Sequence, residues 1–400
     1  MKSLDRNCPL LFVTITCVAV AGCAVAPRDP SVYACSDGTD TMGPPHSQSA
    51  RYQAVIDRAI KAGVPGMTLL VRDAEGTWIG AGGMADLATG TPMGTCQIFN
   101  TASITKTFLA ATALKLVEEG RMHLDDPIRG YLPKGAADGL DGADTATVRE
   151  LMNHTSGIRN YNDSLDFLTD VINAPSSRVP PYSFLDYARG KSAYFAPGTG
   201  HRYSNSDTIL LAMVIDAVSG EHHTRALADR VLSPLSLHRT SYDWKLLQPP
   251  GLARGYAEWQ GDERLVDATD FFFAEQYDGP AGGLNSTVTD LATFVDALLR
   301  KKTLVGAASL AAMEEWVEPP SGFHPGYDKY GLGLEYLKGD LGYAIGHTGD
   351  KLGYQGFMLY FPDPDVTVVA LLNVGGDSPR FGAITHDLVG YLMNLPFQGR

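Results

Sequence analysis

A serine hydroxyl becomes a useful nucleophile only when a base lies within hydrogen-bonding reach, and Ser103 and Lys106 offer that pairing three residues apart. On a helix this spacing puts both side chains on one face. Lysine serves as a base only where burial or nearby positive charge lowers its pKa, so the pair predicts an enclosed site. Residues 99–108, Phe-Asn-Thr-Ala-Ser-Ile-Thr-Lys-Thr-Phe, open a helical stretch that runs to about Glu119, where Gly120 stops it. Asn100 or Thr101 is the expected cap. Ser103 then stands at a helix N-terminus, where the dipole and unpaired N–H groups favour developing negative charge, and its own N–H is a candidate oxyanion donor. Taken alone, Ser-x-x-Lys is weak, because an ordinary first helical turn with a solvated lysine produces it too. Two further triplets, Tyr203-Ser204-Asn205 and His347-Thr348-Gly349, lie in separate parts of the chain, the second among strand-like runs.

Elements that could position these residues follow from periodicity. Residues 52–62 carry apolar side chains at helical spacing and end at Gly63-Val64-Pro65-Gly66; strand-like runs follow at 67–71 and 78–82. Residues 121–325 read as helix and loop with many Pro and Gly breaks. Strands return at 343–346, 356–361 and 366–372, and an amphipathic helix is expected over 381–393. This order describes an α/β core, 47–120 with 326–400, split by a mainly helical lobe at 121–325. No Gly-x-Ser-x-Gly elbow is present, which argues against an α/β-hydrolase.

The order Ser-x-x-Lys, Tyr-x-Asn, His-x-Gly resembles the serine β-lactamase and penicillin-binding-protein superfamily, in its class C β-lactamase, DD-peptidase and family VIII esterase branch. Glu150-Leu151-Met152-Asn153-His154-Thr155-Ser156-Gly157, Pro197-Gly198 and Ala281-Gly282-Gly283-Leu284 extend the likeness over roughly residues 50–395. The resemblance implies an antiparallel sheet flanked by helices with a large helical lobe inserted. It also implies that Ser103 forms an acyl-enzyme while Lys106 and the Tyr203 phenol pass its proton to the leaving group, a lysine cation beside the phenol lowering the phenol's pKa. Asn205 would bond the substrate amide and Lys106. His347 would take the place where many relatives carry lysine, Thr348 and Gly349 would line the substrate edge, and Asp350 would give the second oxyanion N–H.

Asp350 departs from what a peptidase for free C-terminal carboxylates needs, since a carboxylate there repels such a substrate. An ester, a neutral amide or a substrate with a free amine fits better, unless the side chain points to solvent. Two functions follow: a serine hydrolase acting on an amide or ester outside the cytoplasm, or a penicillin-binding or sensing protein that acylates and turns over slowly. No cofactor is implied. His222-His223 with Glu221 lacks metal-ligand spacing and reads as a surface helix, His154 as a structural loop residue, and His324-Pro325-Gly326 as a formal match without a strand.

The composition agrees with export. Lys2 and Arg6 precede an apolar run over 10–21, too short for a mature spanning helix, and Val20-Ala21-Gly22-Cys23 resembles a lipobox. Residues 1–22 are thus expected to be a signal peptide and Cys23 the lipid attachment, with an ordinary secretory signal cleaved near Ala24 or Ala26 as the alternative. Residues 23–46, rich in Pro, Ser, Gly and Thr, form a tether. Membrane contact is then expected through the N-terminal lipid. Cys8 and Cys17 fall in the leader, which leaves Cys35 and Cys96, whose pairing stays open. A net charge of −13 with no Lys/Arg run longer than three residues argues against a nucleic-acid partner; a small molecule or peptide is the expected substrate.

Overall fold

The structure is a computed structural model that describes residues 46–242, 249–258, 264–271, 279–320, 326–339 and 342–376. The leader, Cys23, Cys35, nearly all of the tether, His324 and the helix expected over 381–393 lie outside the described residues. The first helix, α1 (Ser49–Lys61), leads into a hairpin of β1 (Gly66–Asp73) and β2 (Gly76–Asp86), followed by the short strands β3 (Thr91–Pro92) and β4 (Phe99–Asn100). A 3-10 turn, Ala102–Ile104, then opens α2 (Thr105–Glu118). Between α2 and the closing strands lie α3 (Val148–Met152), α4 (Leu165–Asn173), α5 (Asn205–Ser219), α6 (His223–Leu227), the pair β5 (Tyr256–Glu258) and β6 (Leu265–Asp267), β7 (Asn285–Ser286), α7 (Val288–Val295) and α8 (Ala307–Met313). The chain returns through β8 (Lys329–Tyr330), β9 (Glu335–Gly339), β10 (Gly342–Lys351), β11 (Tyr354–Phe361) and β12 (Val366–Leu372).

One eight-stranded sheet, ordered β3-β2-β1-β12-β11-β10-β9-β8, joins the two ends of the chain. Its neighbours pair antiparallel, as expected, and β1 meets β12 from Met67↔Leu372 to Arg72↔Thr367. All seven residues of β12 are buried. Val368, Ala370 and Leu372 share one face with Tyr52, Val55, Ile56 and Ala59 of α1, which recur at helical spacing. Val369 and Leu371 join Phe108 of α2 and Phe294 of α7 on the other. A strand covered on both faces reads as an unbroken apolar run, which is why 366–372 was legible as a strand.

Two differences from the sequence reading bear on the site. α7 falls inside the stretch assigned to the helical lobe, yet its Phe294 stacks on Phe108 at 3.6 Å between ring centroids, so it belongs to the layer beneath the sheet. The strand expected over 343–346 continues to Lys351, which places His347 to Asp350 within β10. Among the described residues no helix is long and apolar enough to cross a membrane.

Candidate active site

Ser103 sits in the 3-10 turn ahead of α2, one turn earlier than a regular helix start. Asn100 Oδ1 accepts the Ala102 N–H at 2.9 Å, so Asn100 rather than Thr101 satisfies the opening donor. Ala102 has φ +47, a left-handed conformation costly for a residue with a Cβ. Lys106 is 3% exposed and donates to Ser103 Oγ at 3.1 Å and to the Ala281 carbonyl at 2.7 Å. The Ala281–Leu284 segment thus acquires a role: Leu284 accepts the Thr101 N–H, and its own N–H bonds Thr105 Oγ1 at 3.1 Å.

Tyr203 lies half-buried just before α5, with its phenol hydrogen-bonded to Ser103 and its ring 4.8 Å from Lys106 Nζ. Burial pushes the phenol well above the ordinary tyrosine range, and the Ser103 hydrogen bond opposes this only in part. The lysine was expected to lower this phenol toward neutrality; burial acts in the opposite direction and raises it. Asn205, at the first position of α5, donates its N–H to Asn160 Oδ1 at 3.1 Å, and its side-chain oxygen is buried without a partner. The expected bond from Lys106 to Asn205 is replaced by the Ala281 carbonyl.

His154 holds the Tyr203 backbone from both sides. Its carbonyl accepts the Arg202 N–H at 3.0 Å, its Nδ1 accepts the Ser204 N–H at 3.4 Å, and its ring lies 4.3 Å from that of Tyr203. Nδ1 also faces Asp207 Oδ2 at 3.1 Å, while Ser156 Oγ donates to Asp207 Oδ1 at 2.5 Å. Burial drives His154 down and Asp207 up, so both favour their neutral forms.

β10 forms the opposite wall. A Cβ at Gly349 would strike the Thr101 carbonyl and come within 3.3 Å of Ser103 N, so only glycine lets the strand lie against the serine turn. Strand N–H groups alternate in direction; the Thr348 N–H turns away from β11 to Glu335, and that of Asp350 turns the same way. His347 is fully buried, with Nε2 2.8 Å from the Tyr330 hydroxyl and Nδ1 2.5 Å from the Thr348 carbonyl. Nδ1 therefore carries the proton and Nε2 accepts from Tyr330. Burial lowers the His347 pKa, and its ring lies 6.5 Å from that of Tyr203. Asp350 is exposed, but its carboxylate accepts from Gln355 Nε2 and from the Gly376 N–H, both at 2.9 Å. Of the two expectations for this carboxylate, facing substrate or pointing to solvent, its exposure fits the second, with Gln355 and Gly376 bonding it.

Gly349→Ala is expected to displace β10 from Ser103 and cost about 1–3 kcal/mol of stability by overpacking. Acylation of Ser103 should slow far more than this loss explains; an unchanged acylation rate would count against the wall.

A family model described as Beta-lactamase matches residues 52–390. The chain belongs to the beta-lactamase family. Among curated relatives of this family, Penicillin-binding protein 4* of Bacillus subtilis (strain 168) is 26% identical over 327 residues, 79% of this chain and 69% of that protein. A D-stereospecific amidohydrolase from Streptomyces sp. superposes with a TM-score of 0.73 at 29% identity, covering 84% of this chain and 97% of that one. The D-amino acid amidase from Ochrobactrum anthropi SV3 complexed with L-phenylalanine shares the fold, with a TM-score of 0.75, 24% identity and coverage of 87% and 98%. The beta-lactamase fold thus places the chain in the serine β-lactamase and penicillin-binding-protein superfamily, whose fold carries acyl-enzyme serine hydrolases.

Several residues of this family member escaped the sequence reading. Glu335 and Tyr330 bear on β10 only through strand pairing, and no local motif marks them. His154 had a motif, but its role required seeing Tyr203 beside it. His201, 2% exposed, has both ring nitrogens unpartnered, and burial lowers its pKa to about 4. A histidine depressed in the folded state contributes stability that is present above its unfolded pKa and lost as pH falls from about 6.5 to about 4. Urea unfolding at pH 7 and pH 5 should show this group removing about 2 kcal/mol, and His201→Gln should remove that share of the slope. A slope identical in the variant would rule His201 out as its source.

Cys96 is disulfide-bonded, and every other cysteine lies outside the described residues. Asp216, His222 and His223 bring potential ligand atoms within 4.8 Å of one another. Tyr182 bonds Asp216, His223 Nδ1 lies 3.0 Å from Asp216, and His223 Nε2 lies 3.1 Å from the Tyr242 hydroxyl. These bonds lock α5 to α6.

Proposed function

We propose that this protein is a serine hydrolase that forms an acyl-enzyme at Ser103 on an amide or ester substrate outside the cytoplasm. The observation that carries the reading is that Ser103 is bonded by both the Lys106 ammonium and the Tyr203 phenol, while its backbone N abuts Gly349 of β10. Ser103 Oγ attacks the carbonyl carbon, its proton moves to Tyr203, and the phenol passes a proton to the leaving nitrogen or oxygen. Because burial disfavours the phenolate, the two transfers occur together and Lys106 stabilises the charge that develops between them. The N–H groups of Ser103 and Asp350 receive the oxyanion. Asn205 orients the substrate amide through its unpartnered carbonyl oxygen, and His347 and Thr348 shape the edge it lies along. Water then attacks the ester carbonyl and gives a proton to Tyr203, and the phenol passes a proton to Ser103 Oγ as the acyl–oxygen bond breaks and the acid product leaves.

The names of the relatives, a penicillin-binding protein and a D-stereospecific amidohydrolase, support acyl donors of the β-lactam or D-amino-acid amide kind. A panel of a chromogenic cephalosporin, a short-chain nitrophenyl ester, a D-Ala-D-Ala peptide and a D-amino-acid amide, with mass spectrometry of Ser103, tests this. Turnover of at least one is expected; a stable adduct without turnover of any would favour the slow sensing protein, and no adduct or turnover at all would defeat both. Export with a lipid on Cys23 is the second half of the proposal, supported by the lipobox-like sequence ahead of it. Recovery of full-length, unprocessed chain in the cytosol would overturn that half.

A further inference from the structure

Where the edge of β10 should offer substrate a hydroxyl, the structure has committed it elsewhere. β9 pairs with β10 only as far as Glu335↔Gly346, and beyond that point the Glu335 side chain takes over as partner. Its Oε2 accepts the Thr348 N–H at 2.8 Å and its Oε1 accepts the Thr348 hydroxyl at 3.0 Å. His347 Nδ1 stands 3.4 Å from Oε1. Both oxygens accept, the pattern of an ionised carboxylate. Glu335 is 3% exposed and Thr348 is half-buried, so the charge sits just behind the accessible edge, where water screens it little. One residue further on, Gly349 touches the Ser103 turn. An acyl donor lying along this edge therefore meets a hydroxyl already spent on a carboxylate and, behind it, a negative charge.

We propose that Glu335 is the specificity-determining residue of this site, selecting acyl donors that present no carboxylate to the β10 edge, so that neutral amides and esters are preferred over free acids. This rests on the acyl-enzyme reading above and narrows its substrate class. It also relocates a charge: the discrimination expected of Asp350 belongs to Glu335, because the Asp350 carboxylate is held by Gln355 and Gly376. Two effects add in the same direction. A substrate carboxylate would have to displace the Thr348 hydroxyl from a charge-assisted bond, and it would approach a like charge in a poorly screened place. A carboxamide or ester suffers neither penalty to the same degree, since it can accept from a neighbouring backbone N–H without bringing a charge.

Benzylpenicillin and its methyl ester form a matched pair that differs only in the carboxylate. The experiment measures the rate of adduct formation on Ser103 with each, in the native protein and in Glu335→Gln and Glu335→Asp. In the native protein the methyl ester should acylate at least tenfold faster than the acid. Glu335→Gln should raise the ratio of acid to ester acylation rates at least fivefold, while Glu335→Asp, which keeps the charge, should keep the preference. Equal rates with acid and ester in the native protein, or a preference for the acid, would overturn the proposal, as would equal slowing of both compounds in both variants, the mark of a structural role. No adduct from either compound, nor from a short-chain nitrophenyl ester, would overturn the acyl-enzyme reading and this inference with it.

Discussion

Ser103→Ala should remove every covalent adduct and reduce hydrolysis of any acyl donor by about 10⁵-fold or more, the scale seen when a nucleophile acting in concert with its base is deleted. The fold should survive, because the turn is held just ahead of Ser103, where Asn100 accepts the Ala102 N–H and Thr101 donates to the Leu284 carbonyl. The variant also exposes the alternative. A penicillin-binding protein that acylates slowly would lose its adduct equally, so the distinction lies in the native protein's turnover and not in the variant. Circular dichroism and intact-mass spectrometry before and after penicillin check both points. Persistence of an adduct in Ser103→Ala would move the chemistry to another residue.

Lys106→Met has the second largest expected effect, a loss of about 10³–10⁴ in acylation rate, near the upper range for one proton-transfer or electrostatic partner. Methionine matches the aliphatic stem and removes the ammonium that bonds Ser103 and Ala281. A nine-tenths-buried cation is expensive to hold, so the variant should unfold at a temperature no lower than the native protein, even though the Ala281 carbonyl loses its donor. Activity and stability would then move apart, as happens where strain is kept for function. Lost activity with an equally large fall in thermal stability would instead make Lys106 a structural post.

How far the site could be read in advance follows from the range of the interactions that build it. Ser103 and Lys106 were legible because three residues on a helix always meet, and the turn that replaces the first helical turn keeps them on one side. Tyr203 and His347 were legible as residue types in order, through a resemblance. What they do was less so. His347 was expected in the place where many relatives carry lysine, and there it is buried and tied to Tyr330 and the Thr348 carbonyl. The phenol of Tyr203 was expected to titrate lower, whereas the depth at which α5 begins raises it.

Sequence by itself determined the alternation of apolar and polar positions, the helix that carries the serine and lysine, and the split of an α/β core by intervening helices. These rest on periods of two and 3.6 residues, which are local. The tertiary structure alone decided which carboxylate stands behind the β10 edge, which carbonyl holds Lys106, and which ring holds Tyr203. Each depends on partners separated by 13, 175 and about 50 residues along the chain. Such contacts are set by strand register and by the packing of layers, and a shift of one residue in the β9–β10 pairing would turn Glu335 to the other face of the sheet.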